Sequence, residues 1–183
     1  MTELRLRAAT PADLPALRRL IERSVRGLSV GFYSDQQIAS ALRYVFGVDT
    51  QLIADGTYFL IEGEGEDIAA AGGWSRRATL YGGDQHKTSS RDPLLDPATD
   101  AARIRAFFVD PRYARRGLAR RLFDACHDAA RRAGFQTLEL GATLPGVPLY
   151  VALGFTALER ADAVMPDGVV LPIVRMSRPI RPA

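Results

Sequence analysis

The sequence holds one cysteine and one lysine, and it has no long hydrophobic run. Cys126 alone cannot form an internal disulfide and offers no metal-ligand spacing, so we predict no metal site and a buried, inert thiol. No segment reaches the ~18–20 consecutive apolar residues that cross a bilayer, and the first residues lack the apolar run of a signal peptide. These absences predict a cytoplasmic protein without a membrane partner.

The rest of the composition is that of an ordinary globular protein. Of the 183 residues, 47% are hydrophobic and 25% are charged, which argues against long disordered, collagen-like or coiled-coil designs. This length suits one domain with a sizeable core, which we place at 1–183. Inside it, residues 76–102 show little periodicity and many turn-forming residues, a pattern typical of a functional lid or a mobile insert.

Positive charge is concentrated in one segment. Residues 103–132 carry nine arginines against three aspartates, a net charge of +6 in a chain whose total is +3. An anionic ligand near this segment would account for the concentration, and so would a solvated arginine face. Nucleic-acid binding is the weaker explanation because no aromatic stacking motif accompanies the arginines. We therefore predict no nucleic-acid partner.

Hydrophobic periodicity predicts an α/β fold with a mixed sheet. Thr10 and Pro11 mark the start of the first helix, and Ser34 with Gln37 forms a capping box that opens the second. The predicted elements are strands at 3–8, 57–62, 67–75, 103–109, 137–140 and 169–176, and helices from Thr10, from Ser34 to Gly47, from 115 to 133 and from 146 to 153.

One strand–turn–helix unit carries a chemical signal. The strand that ends at Val109 leads through a turn to Gly117, which lies near the start of the helix predicted from 115. A glycine at this position lets a phosphate approach the backbone closely, and the unpaired amides of a first helical turn point towards it. Arg115, Arg116 and Arg120 add positive charge. The spacing fits neither a Walker loop nor a dinucleotide fingerprint, so we predict a different kind of phosphate-binding turn.

Two motifs resemble those of the GNAT superfamily of N-acetyltransferases. Residues 109–122 read VDPxYARRGLAxxL, which is similar to the acetyl-CoA signature of that family, with the core pattern Arg/Gln-x-x-Gly-x-Gly/Ala. Residues 149–155 read LYxxLGF, a second family landmark at the family's spacing. The resemblance covers most of the chain, and the insert at 76–102 lies outside it. Ala114 departs from the pattern because relatives usually carry Arg or Gln there.

The resemblance implies acetyl-CoA as the cosubstrate and a GNAT-like fold: a mixed, mainly antiparallel sheet of about seven strands flanked by about four helices. It implies that amides at 115–120 cradle the pyrophosphate and that the backbone of Phe107 and Val109 binds the pantetheine arm. Tyr150 matches the tyrosine that protonates the departing thiolate of coenzyme A. The cofactor-binding residues implied are Phe107, Phe108, Val109, Arg115, Arg116, Gly117, Leu118, Ala119 and Arg120.

The base that would accept the amine proton is not evident from the sequence. An alkyl amine with a pKa of ~10.4 is almost fully protonated at pH 7, and removing the proton costs ~4–5 kcal/mol. Some group or water must therefore accept it. The candidates are Asp84, His86, Asp100, Glu139 and water.

The acceptor is expected to be a small-molecule or peptide amine, and the sequence does not identify it. Its pocket is expected to form from the 27–37 turn, the 76–102 insert and the 142–150 region. Aromatic side chains available to line it are Phe32, Tyr33, Trp74 and Tyr81. Arg103 and Arg105 would favour an acidic acceptor unless they face solvent. The alternative function is a non-catalytic module that senses acyl-CoA, and a homodimer would agree with family habit.

Overall fold

A computed structural model describes residues 4–89 and 91–180 of the chain. Over these residues it has seven strands and five α-helices. The strands are β1 (Leu6–Ala8), β2 (Tyr58–Glu62), β3 (Ile68–Ser75), β4 (Ala102–Val109), β5 (Thr137–Thr143), β6 (Thr156–Val164) and β7 (Val170–Pro179). The helices are α1 (Leu14–Leu28), α2 (Asp35–Tyr44), α3 (Thr50–Ala54), α4 (Leu118–Arg132) and α5 (Val147–Ala152). Residue 3 of the first predicted strand lies outside the described ranges.

The strands form one mixed sheet in the order β1-β2-β3-β4-β5-β7-β6. Every neighbouring pair is antiparallel except β4 and β5, which confirms the predicted mainly antiparallel sheet. Helices α1 and α2 contribute buried side chains to one core cluster, and α4 and α5 contribute to a second. Cys126 of α4 is fully buried in the second cluster, as predicted, and burial raises the pKa of its thiol. No helix of the described ranges is long and apolar enough to span a membrane.

Local signals set most of the helix starts. The Gln37 N–H donates to Ser34 Oγ at 3.1 Å and the Ser34 N–H donates to Gln37 Oε1 at 2.9 Å, which confirms the predicted capping box of α2. That helix ends at Tyr44, three residues before the predicted stop. Helix α4 begins at Leu118 rather than at 115. The difference has a backbone cause, because Arg115 and Gly117 adopt left-handed φ values of +63° and +78° that a right-handed helix cannot include.

Two elements were not predicted. Helix α3 makes the helix count five rather than four, and it is only five residues long. Strand β6 is rich in Ala, Glu and Arg, which favour helices, and its pairing with β7 overrides that local preference.

Strands β4 and β5 separate soon after they pair. Their parallel register covers only Ala102 with Leu138 and Arg103 with Glu139. Farther along, β4 bulges: Ala106 has a φ of +55°, and the register with β3 shifts between Ala71 and Gly73. A bulge bends its strand and turns it away from its neighbour. The sheet therefore has an open gap between the second half of β4 and the second half of β5.

In its described residues, 76–89 and 91–102, the insert is irregular apart from a short 3-10 turn at Asp84–His86 and the first residue of β4. Ion pairs nevertheless fix it to the body of the protein. Arg77 pairs with Asp55 at 2.7 Å, and Lys87 pairs with the buried Asp49 at 2.6 Å. The insert is thus anchored on the side of the sheet where the gap opens.

Candidate active site

A cavity of about 210 Å³ occupies the gap between β4 and β5. One wall comes from β4 and the start of α4, and another from the end of β5 and α5. The third comes from the end of α1, the turn after α2 and the insert. Its lining side chains include Ser24, Leu28, Val45, Phe46, Leu80, Tyr81, Arg105, Phe107, Phe108, Val109, Ala119, Thr143 and Tyr150. The gap in the sheet is thus the place where a ligand can lie against strand backbone.

Tyr150 lies on one wall of this cavity, where the resemblance expects a catalytic tyrosine. Its ring meets Phe107 edge-on at 6.3 Å between centroids and Phe155 at 5.7 Å. Gly146 permits this position, because a Cβ there would lie 3.3 Å from the tyrosine ring. Tyr150 is 9% exposed, its hydroxyl has no hydrogen-bond partner within the described part of the chain, and burial raises its pKa. The phenol is therefore protonated at neutral pH and free to donate into the cavity.

The predicted phosphate-binding turn lies at the start of α4. Gly117 is exposed, and a Cβ built there would meet no atom within 4 Å, so space is open in front of the helix. The side chains of Arg115, Arg116 and Arg120 are exposed around it. Arg116 lies over the Tyr113 ring at 5.2 Å, whereas Arg115 makes no hydrogen bond, ion pair or ring contact with other described residues. An open helix N-terminus ringed by arginines has the charge and the donors that suit a phosphate.

The structure divides the predicted cofactor-binding residues into two groups. Those that line the cavity are Phe107, Phe108, Val109 and Ala119. Those that lie at the start of α4 outside the cavity lining are Arg115, Arg116, Gly117, Leu118 and Arg120. The Leu118 side chain is buried in the core, so only its backbone is available to a ligand.

The backbone N–H of Val109 already donates a hydrogen bond within the protein. Its N–H donates to Ser24 Oγ of α1 at 3.1 Å, and the next N–H along β4, that of Asp110, pairs with Ala69 of β3. Backbone groups alternate along a strand, so Val109 faces away from β3 towards the gap. Ser24 is a contact that the sequence analysis missed. The only signal for it is a small polar residue on the buried face of α1.

Arg105 does not serve an acidic acceptor as the sequence allowed, nor does it face solvent. It is buried and pairs with Asp49 at 2.8 Å. It also donates to the carbonyls of Gly82 at 2.6 Å and Thr79 at 3.0 Å. Arg105 thus fixes the part of the insert that lines the cavity, and its charge is paired with Asp49, which Lys87 shares at 2.6 Å. Arg103 is likewise occupied, by Glu139 at 2.9 Å.

The three candidate carboxylate bases do not line the cavity. Each accepts a hydrogen bond elsewhere, in the pairs Asp84 with the Thr50 hydroxyl (2.8 Å), Asp100 with the Asp96 N–H (2.7 Å) and Glu139 with Arg103 (2.9 Å). His86 does not line the cavity either, but it stacks on the lining Tyr81 with 5.0 Å between centroids. Burial, and to a lesser degree Arg105, lowers the pKa of His86, so its imidazole is neutral at pH 7.

Of the four aromatic residues considered for the acceptor pocket, Tyr81 lines the cavity. Trp74 is buried in the core against Phe135. Tyr33 is buried as well, and its hydroxyl donates to the Pro172 carbonyl at 2.7 Å and accepts the Leu144 N–H at 2.8 Å. Phe32 is exposed on the turn after α1. The aromatic lining that the sequence analysis missed is Phe46, which meets Phe108 edge-on at 6.3 Å.

Comparison with known proteins agrees with this arrangement. A family model for a GNAT acetyltransferase domain matches residues 97–175. A GCN5-related N-acetyltransferase from Rhodopseudomonas palustris has the same fold, with 20% identity, a TM-score of 0.70 and coverage of 98% of this chain and 97% of that chain. No curated protein sequence matches the chain significantly.

Two further structures of this fold contain the coenzyme. The PaiA N-acetyltransferase from Thermoplasma acidophilum, in complex with coenzyme A, is 12% identical with a TM-score of 0.64 over 97% of this chain and 99% of that one. YncA from Salmonella typhimurium, with its cofactor acetyl-CoA, is 18% identical with a TM-score of 0.62 over 100% of this chain and 96% of that one. Together with the signature at 109–122 and the open seven-stranded sheet, these findings show that the chain has the fold of the GNAT acetyltransferases and that its residues 97–175 match their family model.

Proposed function

We propose that this protein transfers the acetyl group of acetyl-CoA to a primary amine by direct attack, without a covalent enzyme intermediate. The observation that carries the proposal is the position of Tyr150, whose unpaired hydroxyl lies on the wall of a cavity between two separated strands. The cavity continues to the start of α4 through Ala119. One continuous site therefore joins a phosphate-binding helix start to a proton donor.

Acetyl-CoA fits this site in one direction. Its pyrophosphate would lie against the amides of 115–120, and its pantetheine arm would follow β4 through the gap. The Val109 N–H is held by Ser24, so the arm would use the Val109 carbonyl there or displace the serine. This order brings the thioester to the wall that carries Tyr150.

The chemistry balances with the groups at hand. The neutral amine attacks the thioester carbonyl, the new C–N bond forms and the C–S bond breaks. The sulfur leaves as a thiolate and takes the Tyr150 proton, a transfer that is uphill by pKa in water and that burial of the thiolate favours. The ammonium group loses one proton to water before the neutral amine attacks; a second proton leaves the nitrogen after the C–N bond forms and, through water, restores the Tyr150 phenol. His86, in contact with Tyr81 on the cavity wall, is the candidate base best placed to receive the first proton from water.

The experiment is a titration calorimetry measurement with acetyl-CoA, followed by a thiol-release assay against a library of primary amines. Saturable binding together with thiol release on an amine supports the proposal. Binding with no release on any amine would favour the non-catalytic acyl-CoA sensor instead. The absence of binding would contradict both functions.

A further inference from the structure

We propose that the acceptor carries its primary amine on a neutral, apolar body of about one ring. This inference rests on the proposed function and adds the chemical class of the acceptor. The lining that α1, the turn after α2, the insert and β4 contribute to the cavity includes six apolar or aromatic side chains, here called the acceptor wall: Leu28, Val45, Phe46, Leu80, Tyr81 and Phe108. An apolar group that binds against this wall is removed from water, and this burial of apolar surface stabilises the complex.

The charge on this wall supports the same class. Among the described lining residues Arg105 carries the one charged side chain; it is buried and pairs at 2.8 Å with Asp49, which Lys87 also contacts at 2.6 Å. The other polar lining side chains, Ser24, Thr143 and Tyr81 among them, are neutral hydroxyls. A polyamine or an acidic peptide would have to leave its additional charges in such surroundings without partners, which is unfavourable.

The mouth of the cavity has the same character. Leu28 lines the cavity and is 37% exposed, and the turn that follows it presents Val30 and Phe32, 72% and 50% exposed. The cavity limits the size of the acceptor, because its volume of about 210 Å³ must also hold the acetyl end of the cosubstrate. An apolar cavity of ~150 Å³ accepts one benzene ring, so a single ring or a short branched chain fits.

An apolar wall also lowers the free energy needed to remove the proton from the ammonium group of the acceptor. Burial of an ammonium group in low-polarity surroundings lowers its pKa, which lowers the cost of the neutral amine that must attack. The acceptor wall would in this way contribute to catalysis as well as to selectivity.

The test compares three primary amines in the thiol-release assay: phenethylamine, spermidine and glutamate. We expect kcat/KM for phenethylamine to exceed the other two by about 30-fold or more, as burial of one ring allows. Phe46→Asp should reduce this preference at least tenfold, Leu80→Asp should do so at a second point of the wall, and Leu94→Asp, exposed in the insert, should leave it unchanged. Acetyl-CoA affinity checks that each variant is folded.

The outcomes separate the inference from the proposed function. Faster turnover of spermidine or glutamate would overturn the inference and leave acetyl transfer intact. Unchanged selectivity in both wall variants would also overturn it. Acetyl-CoA binding with no thiol release from any amine would defeat the proposed function and the inference together.

Discussion

At the scale of single residues, the site depends on how Tyr150 is kept protonated and unpaired. Phe107 and Phe155 hold its ring, and Gly146 leaves room for it. Burial raises its pKa, which makes the phenol a weaker acid than usual in solution. The coenzyme thiolate would be buried in the same cavity, and its proton affinity would rise for the same reason, so the transfer from phenol to thiolate stays feasible.

Tyr150→Phe removes the hydroxyl and keeps the ring. We expect kcat to fall about 100-fold, the lower end of what a positioned acid contributes. The Kd for acetyl-CoA should change less than about twofold, since the ring contacts remain. Steady-state kinetics and calorimetry measure the two quantities. Tyr44→Phe, which removes a hydroxyl of α2 outside the cavity lining, is the control. Equal kcat values in the two variants would contradict the catalytic role and would mean that Tyr150 only packs in the core.

At the scale of elements, the junction of β4 and α4 forms the proposed cosubstrate site. The bulge at Ala106 opens the sheet, and the left-handed turn at Arg115 and Gly117 starts α4 with its amides exposed. Of these two features, only the turn falls within the signature at 109–122 that was recognised from sequence; the bulge at Ala106 lies before it and was not predicted. The strand, the glycine and the arginines of this unit were predicted from local chemistry alone.

Gly117→Glu places a side chain and a negative charge in the open space at the start of α4. We expect the Kd for acetyl-CoA to rise at least 100-fold, because the charge repels the pyrophosphate and the side chain fills its place. Gly117→Ala is the matched control: it brings the same left-handed strain of about 1 kcal/mol and little bulk. Calorimetry measures affinity, and thermal unfolding shows that both variants fold. Similar affinity in both would show that the pyrophosphate lies elsewhere.

Contacts between distant elements were beyond sequence reasoning. Arg105 pairs with Asp49, 56 residues away, and Val109 with Ser24, 85 residues away. The local sequence around an arginine in a strand does not indicate whether a buried carboxylate from a distant part of the chain pairs with it. Phe46 of the acceptor wall was missed for a different reason: the end of α2 was predicted three residues too late, which placed Phe46 inside the helix.

At the scale of the whole molecule, one ion-pair cluster joins α1, the β2–β3 hairpin and the end of β4. The buried carboxylate of Asp110 accepts hydrogen bonds from Arg112 and from Arg23 of α1, both at 2.8 Å. Arg112 also pairs with Asp67 of the hairpin at 2.7 Å. These contacts, the bond from Arg112 foremost, lower the pKa of Asp110 to about 2. The cluster holds the strand that leads into the cosubstrate site.

The depressed pKa of Asp110 predicts a specific acid sensitivity. Its pKa is about 2 in the folded chain and ~3.9 when unfolded. Its contribution to the free energy of unfolding is therefore complete above about pH 4 and is lost as the pH falls through about 2. Asp110→Asn should be about 1–2 kcal/mol less stable than wild type at pH 7, and the difference should shrink between pH 4 and 2. Urea unfolding at several pH values measures this.

Asp124→Asn, at an exposed position of α4, serves as the control for the loss of a carboxylate. It should follow the wild-type stability at every pH. Parallel curves for wild type and Asp110→Asn down to pH 2 would mean that the cluster does not stabilise the fold through this carboxylate.

The central claim is that the gap between β4 and β5 holds the coenzyme with its sulfur at Tyr150. A crystal structure of the protein with coenzyme A tests it most directly. The account predicts the pyrophosphate against the backbone amides of 115–120 and the sulfur within about 3.5 Å of the Tyr150 hydroxyl. Coenzyme bound outside the gap, or a sulfur beyond reach of Tyr150, would contradict it.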